Sequence, residues 1–322
     1  MSLLKSLKFV QGAVAKKNHV PVLKHFKISN NRIESCNGVL SLSSPIDCNL
    51  EIQPHAETFV HAVEVCEDIT TLHETDTGRL AITSGKFKAY INTSDSVFPE
   101  AQLAGKRIEV DGLLEAMLAL RPMIGEDASR PWSHGILFVK NSAYATNNII
   151  LVEHWLPRPV SRPFGLPSMT VNELLRINEE PESIQINEHI VTFHFSGDRW
   201  LSSKLLSINL WPDVRQLLKN PDDLELYTID SSLFETLLKL RPFTADLRPV
   251  WLNDDTVSTA SSDKDGARIQ TTDCGNMRGT WSLDQLILLK GSATRIAWDS
   301  YPAPCSFFGK GMRGVIIGIR QP

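Results

Sequence analysis

Leu3, Leu7, Val10 and Val14 recur at helical spacing, and at about 100° per residue they fall within roughly 60° of one another. Lys5, Lys8 and Lys16 gather on the opposite side. Residues 2–17 therefore predict an amphipathic helix with one apolar stripe and one lysine stripe. The period then shortens to two. Alternating runs predict short strands at 25–29, 32–36, 39–42 and 46–52, a second helix at 56–66, and further strands at 70–73, 79–83 and 87–91. Phe98-Pro99 closes this series, because proline has no N–H for a ladder and biases its predecessor toward an extended shape.

The same order then recurs. A strand at 106–110 precedes a helix at 112–121, and strands follow at 135–139, 143–146 and 149–154. A proline-rich connection at 157–167 leads to a helix at 171–177 and to strands at 183–186, 191–195 and 199–206. From residue 224 onward, helices are expected at 233–241 and 283–290, with strands at 295–299, 305–308 and 314–320. Gly85 and Gly197 are 112 residues apart, and Gly309 lies another 112 on. Phe98-Pro99 and Trp211-Pro212 are 113 apart. Leu72, Ile184 and Ile296 keep the same 112-residue interval. The helix L-L-E-A-M-L-A-L-R-P at 113–122 matches L-F-E-T-L-L-K-L-R-P at 233–242, each followed by an Arg-Pro and a Trp. A motif recurring at one period predicts three tandem domains, 1–104, 105–222 and 223–322.

Composition adds limits. The chain has 322 residues, 33 basic against 37 acidic, for a net charge of −4. That argues against a binder with a uniformly basic surface. Yet Lys5, Lys8, Lys16, Lys17, Lys24, Lys27 and Arg32 all precede the first acid, Glu34, so one face can be basic on an acidic body. Five scattered cysteines (36, 48, 66, 274 and 305) without C-x-x-C fit a reducing compartment. No apolar run approaches 18 residues and no signal-peptide core follows the first lysines, so a cytoplasmic protein without a membrane partner is expected.

Catalytic patterns are missing. Gly309-Lys310-Gly311 and Ser84-Gly85-Lys86 lack phosphate-loop spacing. His189 and His194 lack a third metal ligand, and Cys66 with His73 lacks a surrounding signature. No cofactor, no metal and no enzymatic activity are expected. An enzyme with an unrecognised site on a repeated α/β scaffold is the alternative class.

The segment S-S-K-L-L-x5-W-P-D-V-R at 202–215 resembles the T-S-K-L-V…F-P-D-Y-R-R pattern of the bacterial DNA polymerase III beta subunit, the DNA sliding clamp. Residues 144–151, Y-A-T-N-N-I-I-L, resemble its A-T-D-G-H-R-L strand; 134–138, H-G-I-L-F, resemble N-G-M-L-F; 315–320, V-I-I-G-I-R, resemble V-M-P-M-R. The resemblance covers the whole chain and fits a divergent, phage-type member. It implies an α+β fold in which each of three clamp domains has two helices and two antiparallel sheets, and in which a head-to-tail homodimer closes a ring. It implies a processivity factor that encircles double-stranded DNA without reading sequence and binds a replicative polymerase and a clamp loader. A clamp-like ring recruiting repair factors is the nearest alternative.

Two sets of site residues follow from the resemblance. Lys5, Lys8, Lys16, Arg121, Arg130, Trp132, Arg176, Arg199, Lys204, Lys239 and Lys290 are expected to face DNA. Arg130-Pro131-Trp132 stands where the family has an Arg-Tyr-Tyr loop. An apolar cleft for a partner peptide is expected from Thr146, Asn148, Ile149, Ile150, Leu151, Pro212, Gln216, Leu217, Val315, Ile316, Ile317, Gly318 and Ile319. Ile149 and Ile150 replace His-Arg, Gln216 replaces Arg and Gly318 replaces Pro. A less basic cleft with a more mobile floor is therefore expected.

Overall fold

The computed structural model describes residues 2–16, 20–67, 70–103, 105–244, 248–260, 266–271 and 276–320. Lys17 at the expected end of the first helix, Ala104 at the expected first boundary, Cys274 and the terminal Pro322 lie outside them. The fold is α+β, with antiparallel sheets and six α-helices among the described residues. The helices are α1 (Leu3–Val10), α2 (Ala56–Val65), α3 (Leu113–Leu120), α4 (Ser168–Ile177), α5 (Ser231–Leu240) and α6 (Leu283–Leu288).

α1, α3 and α5 each run into a tight 3-10 turn, at Gln11–Ala13, Arg121–Met123 and Arg241–Phe243. In the second and third the turn begins with Arg-Pro, where a proline N–H is missing and an α-helix cannot continue. α1 is shorter than its lysine pattern suggests, because Val14 is already extended. Glu180 caps α3, its carboxylate accepting from Leu113 N at 2.8 Å and Leu114 N at 2.9 Å.

The chain forms two compact units, 1–114 with 172–206, and 115–171 with 207–322. In the first unit a seven-stranded sheet runs in the order Lys27–Ser29, Arg32–Cys36, Leu40–Pro45, Arg199–Lys204, Ile190–Phe195, Ser183–Ile186, Arg107–Glu109. A three-stranded sheet holds Thr71–Glu74, Leu80–Ser84 and Phe87–Ile91. The core of this unit packs the Leu7 and Val10 face of α1 with α2, where Phe59 meets Phe26 edge-on at 6.3 Å.

In the second unit an eight-stranded sheet runs in the order Phe164–Pro167, Gly135–Val139, Ser142–Thr146, Ile150–Trp155, Met312–Ile316, Cys305–Gly309, Arg295–Ile296, Tyr227–Thr228. A four-stranded sheet follows the order Arg268–Gln270, Thr256–Ser258, Pro249–Asp254, Met277–Ser282. Trp281 and Trp298, both fully buried, meet edge-on at 5.6 Å in its core.

The periodic residues occupy equivalent places. Gly85 and Gly197 lie in the turns of hairpins, which join Leu80–Ser84 to Phe87–Ile91 and Ile190–Phe195 to Arg199–Lys204, and Gly309 is the last strand residue before the turn that joins Cys305–Gly309 to Met312–Ile316. Leu72, Ile184 and Ile296 each lie on a strand. Several expectations need correction. Residues 46–52 form no strand; Asp47 and Asn49 interrupt the run, and only Ile52 makes a bridge, to Ile28. The proline-rich 157–167 connection ends in a strand, Phe164–Pro167, paired with Gly135–Val139. The four-stranded sheet went unexpected, because Thr256–Ser258 and Arg268–Gln270 are three residues each and mostly polar.

In the seven-stranded sheet, Phe193 faces Leu201 and Leu201 faces Leu42 across the ladder, all fully buried. Leu201→Ala empties the middle of this row and is expected to cost about 2–5 kcal/mol, read as a lower urea midpoint at unchanged slope.

Candidate functional site

Three segments distant in sequence meet in the second unit. Ile150–Trp155 pairs antiparallel with Ser142–Thr146 on one side and Met312–Ile316 on the other, so Leu151 stands between Thr146 and Val315. The turn between the first two strands is set by Asn147, whose Oδ1 accepts from Ile149 N at 3.1 Å and Ile150 N at 2.8 Å. Asn148 takes φ +73, a conformation that Asn tolerates. Asn147 Nδ2 donates to Gln285 Oε1 at 2.7 Å.

The third segment has no ladder partner. Ile208–Leu210 and Val214–Leu217 are 3-10 turns on either side of Trp211-Pro212-Asp213, and Asp213 caps the second by accepting from Arg215 N. Val214 and Leu218 point inward and pack with Leu137, Tyr144, Leu151 and Val315 in one apolar cluster, flanked by Val139, Ile208 and Trp211. Above it lies a groove of about 320 Å³ lined by Leu137, Val139, Tyr144, Pro163, Ile208, Trp211, Pro212, Val214 and the Asp213–Arg215 pair.

The expected cleft residues divide. Leu151 and Val315 lie in the floor cluster, Pro212 lines the groove, and Thr146 is buried beside them with its hydroxyl on Ile150 O at 2.7 Å. Ile149, Ile317, Ile319 and Leu217 are large apolar side chains that stay 39%, 44%, 37% and 53% exposed. Ile317 N donates to Ile149 O at 3.0 Å, which sets the two isoleucines on neighbouring strand ends. Gln216 is exposed and Asn148 half-buried.

Ile150 and Ile316 are corrected: they face each other across the ladder, fully buried, on the side opposite to Leu151 and Val315. Gly318 is corrected too. A side chain there would meet the Tyr301 ring at 2.7 Å, and Tyr301 OH donates to Ile319 O at 2.8 Å. The glycine permits close packing of the strand end against an aromatic ring. Sequence reasoning missed Tyr144, Val214, Leu218, Leu137 and Trp211. W-P-D-V was in view, but the inward turn of Val214 and Leu218 depends on 3-10 geometry, which leaves no periodic trace.

A polar group adjoins this apolar floor on the same face of the sheet. Glu153, 4% exposed, accepts from Ser142 Oγ at 2.6 Å and Tyr144 OH at 2.7 Å through Oε1, and from Arg313 Nε at 2.6 Å through Oε2. Burial alone raises the Glu153 pKa, but the donors Ser142, Tyr144 and Arg313 outweigh it and hold the carboxyl below its ordinary value. Burial, then the Glu153 contact, pushes the Tyr144 phenol up to about 12. Trp211 Nε1 is shielded and finds no acceptor among the described residues, a cost of roughly 1–3 kcal/mol for that wall.

The expected DNA-facing set also divides. In the first unit Lys5, Lys8, Lys16 and Lys204 are exposed, and Lys8 Nζ lies 3.2 Å from Glu64. Arg176 instead ends α1, donating to Lys8 O at 3.1 Å and Phe9 O at 2.8 Å while paired with Glu173. Arg199 is a correction: it is buried, 2.7 Å from Glu179, with its guanidinium 5.0 Å from the Phe9 ring centre. In the second unit Arg121, Arg130, Lys239 and Lys290 are exposed. Trp132 is half-buried, its ring 5.1 Å from that of Trp211, so it braces the groove wall. His194 is held between Gln185 Oε1 at 2.7 Å and Arg107 Nη2 at 3.1 Å, the place of a structural strand histidine.

No family model matches the chain, and no curated protein matches it in sequence. Solved structures do. The β subunit from DNA polymerase of Streptococcus pyogenes is similar at TM-score 0.86 and 17% identity, covering 99% of this chain and 97% of that one. The DNA polymerase sliding clamp from Bacillus subtilis gives 0.83 and 18%, and that from Caulobacter crescentus 0.82 and 20%, with the same coverage. At this identity the likeness establishes the fold, and it does so from end to end: the chain has the sliding-clamp fold.

The depressed Glu153 pKa fixes a pH dependence. The ionised form is favoured by folding, so its contribution is complete above the unfolded value of about 4.3 and is lost as pH falls through the lower folded value. Glu153→Gln is expected to destabilise the chain by roughly 3 kcal/mol at pH 7, because Arg313 loses its counter-charge. The gap to wild type should narrow in denaturation series carried below the ordinary carboxylate range, as the wild-type carboxylate protonates.

Proposed function

We propose that the chain is a DNA sliding clamp, a non-enzymatic processivity factor of three repeated domains (1–104, 105–222 and 223–322). Two copies close head to tail around duplex DNA, and the groove receives a peptide of the replicative polymerase or of the clamp loader. The observation that carries this reading is the likeness in fold to sliding clamps over 99% of the chain. The mechanism is topological. Ring closure prevents escape, while weak screened contacts to phosphates permit movement along the duplex. An interior protein working on DNA without a membrane fits the described residues, which include no helix long and apolar enough to cross one.

The surface chemistry supports each part. Lys5 and Lys8 on α1, and Lys16 beyond its end, are exposed basic side chains of the first unit that can meet phosphates without reading bases. The three-stranded sheet ends at Phe87–Ile91 and the four-stranded sheet at Arg268–Gln270, so a second copy can pair with terminal strands. The groove offers an apolar floor, Ile149 and Ile317 offer exposed apolar surface on neighbouring strand ends, and Ile319 offers more just beyond, where it bridges Thr280. One Leu or Phe side chain fully buried there would contribute about 1.5–3 kcal/mol. The cleft carries Ile149 and Gln216 in place of basic residues, so its peptide should need fewer acidic flanks.

Light scattering should give about twice the 36.0 kDa chain mass at micromolar concentration. A strictly monomeric species removes the ring. Lys5→Glu, Lys8→Glu and Lys16→Glu together should abolish retention on nicked circular DNA without lowering the urea midpoint, since such surface positions contribute little to stability. Wild type should leave the DNA once it is linearised; tight, sequence-selective binding to short duplexes contradicts the proposal. Ile317→Ala with Ile319→Ala should weaken polymerase binding in calorimetry by about 2 kcal/mol or more, with dimer mass unchanged.

A further inference from the structure

The wall of the groove is held by little of its own. Between Ser207 and Asn220 the backbone bonds are local, Trp211 N to Ile208 O at 3.1 Å and Leu218 N to Arg215 O at 3.1 Å. No sheet ladder among the described residues includes it. Pro212, Arg215, Gln216 and Leu217 are exposed, and the Trp211 N–H is buried without an acceptor among the described residues. Val214 and Leu218 supply apolar contact, which is not directional. A wall so built can slide over the floor unless a directional contact fixes it.

We propose that Arg313 is that contact: a positioning residue whose single guanidinium joins the buried Glu153 carboxylate, beside the floor on the same sheet face, to the main chain and side chain at the end of the wall. Nε donates to Glu153 Oε2 at 2.6 Å, and Nη1 donates to Lys219 O at 3.3 Å and Asn220 Oδ1 at 3.1 Å. Glu153 is itself immobilised, because Ser142 and Tyr144 both occupy its other oxygen. Tyr144 presents its ring to the groove and its hydroxyl to Glu153, so floor, carboxylate, guanidinium and wall form one continuous chain of contacts. The fork geometry is specific to arginine: a lysine ammonium can neutralise Glu153 but cannot reach both ends in a fixed plane. The consequence is a groove whose width is preset before a peptide arrives, which lowers the ordering cost of binding. This inference rests on the groove reading of the preceding section.

Arg313→Lys separates charge balance from bridging. The test uses the full-length protein and a Gly/Ser decapeptide carrying adjacent Leu and Phe, followed by fluorescence anisotropy. Arg313→Lys should bind this peptide about tenfold more weakly, the scale of a lost charged hydrogen bond. The near-UV circular dichroism of the Trp132–Trp211 contact should change and the urea midpoint should fall by no more than the loss of these bonds accounts for, with the dimer mass unchanged. Asn220→Ala, which removes one end of the bridge and leaves Glu153 paired, should weaken binding by a smaller factor, and it decides the matter if Arg313→Lys does not fold. Folded variants that bind within twofold of wild type, or that lose stability with unchanged affinity, overturn the bridge while leaving the groove intact. Wild type that fails to bind the decapeptide overturns the groove reading, and the bridge with it.

Discussion

The antiparallel pairing of Ile150–Trp155 with Met312–Ile316 is the contact on which the second unit depends. It joins residues 160 positions apart, Glu153 opposite Arg313, and therefore closes the longest loop of that unit's sheet. Its register decides two surfaces at once. Ile150 and Ile316 enter the core on one face while Leu151 and Val315 make the groove floor on the other, and a slip of one residue would exchange them. Two features hold the register. Gly314 lies against Leu151 O and the Phe307 ring, where no side chain fits, and Arg313 reaches Glu153 directly across the ladder. A buried ion pair is often a poor source of stability, but it penalises every other alignment, because a shifted strand would leave Glu153 buried without its cation.

The first unit repeats this device with other residues. Leu40–Pro45 pairs with Arg199–Lys204, again joining distant segments, and Arg32 donates to Asp198 at the adjoining hairpin turn at 2.6 Å. Each large sheet is thus spliced from strands of two successive repeats. This is why compactness divides the chain differently from its periodicity: a repeat of about 112 residues contributes one hairpin group to one sheet and another to the next. The repeat is the unit of sequence, and the spliced sheet is the unit of packing.

What could be read beforehand follows from this difference. Strands with apolar alternation, such as Arg32–Cys36, Phe87–Ile91 and Ser183–Ile186, were legible to the residue, since one buried face imposes a period of two, and Gly135–Val139, buried on both faces, was legible as a short continuous apolar run. Helix starts before Leu113 and Leu283 were legible within a residue. The pairing of Leu40–Pro45 with Arg199–Lys204 was not, because local pattern carries no information about a partner 157 residues away. In the candidate site, Leu151, Pro212 and Val315 were found through resemblance. Tyr144 and Glu153 escaped because a buried carboxylate on a strand looks like a solvent-facing residue until its donors are known. Arg199 failed in the opposite sense: an arginine at a hairpin start reads as exposed, yet Glu179 and the Phe9 ring hold it inside.

The basic side chains show how a thin positive face can still suit the proposed work. α2 turns Glu57, His61 and Glu64 to solvent, and Glu64 takes Lys8 as a partner. Lys8 and then His61 hold the Glu64 carboxyl below its ordinary value, so Glu64 is ionised at neutral pH. An exposed pair of this kind is screened by solvent and salt and holds its partners weakly. Lys8 can therefore leave Glu64 for a passing phosphate at little cost, and return as easily. A strip of unpaired lysines would grip the duplex harder, and each step along it would have to break that grip. Where closure of a ring supplies retention, weak and exchangeable contacts are the better chemistry, and an acid beside a lysine, as Glu64 beside Lys8, is one way for an acidic protein to keep such a contact weak.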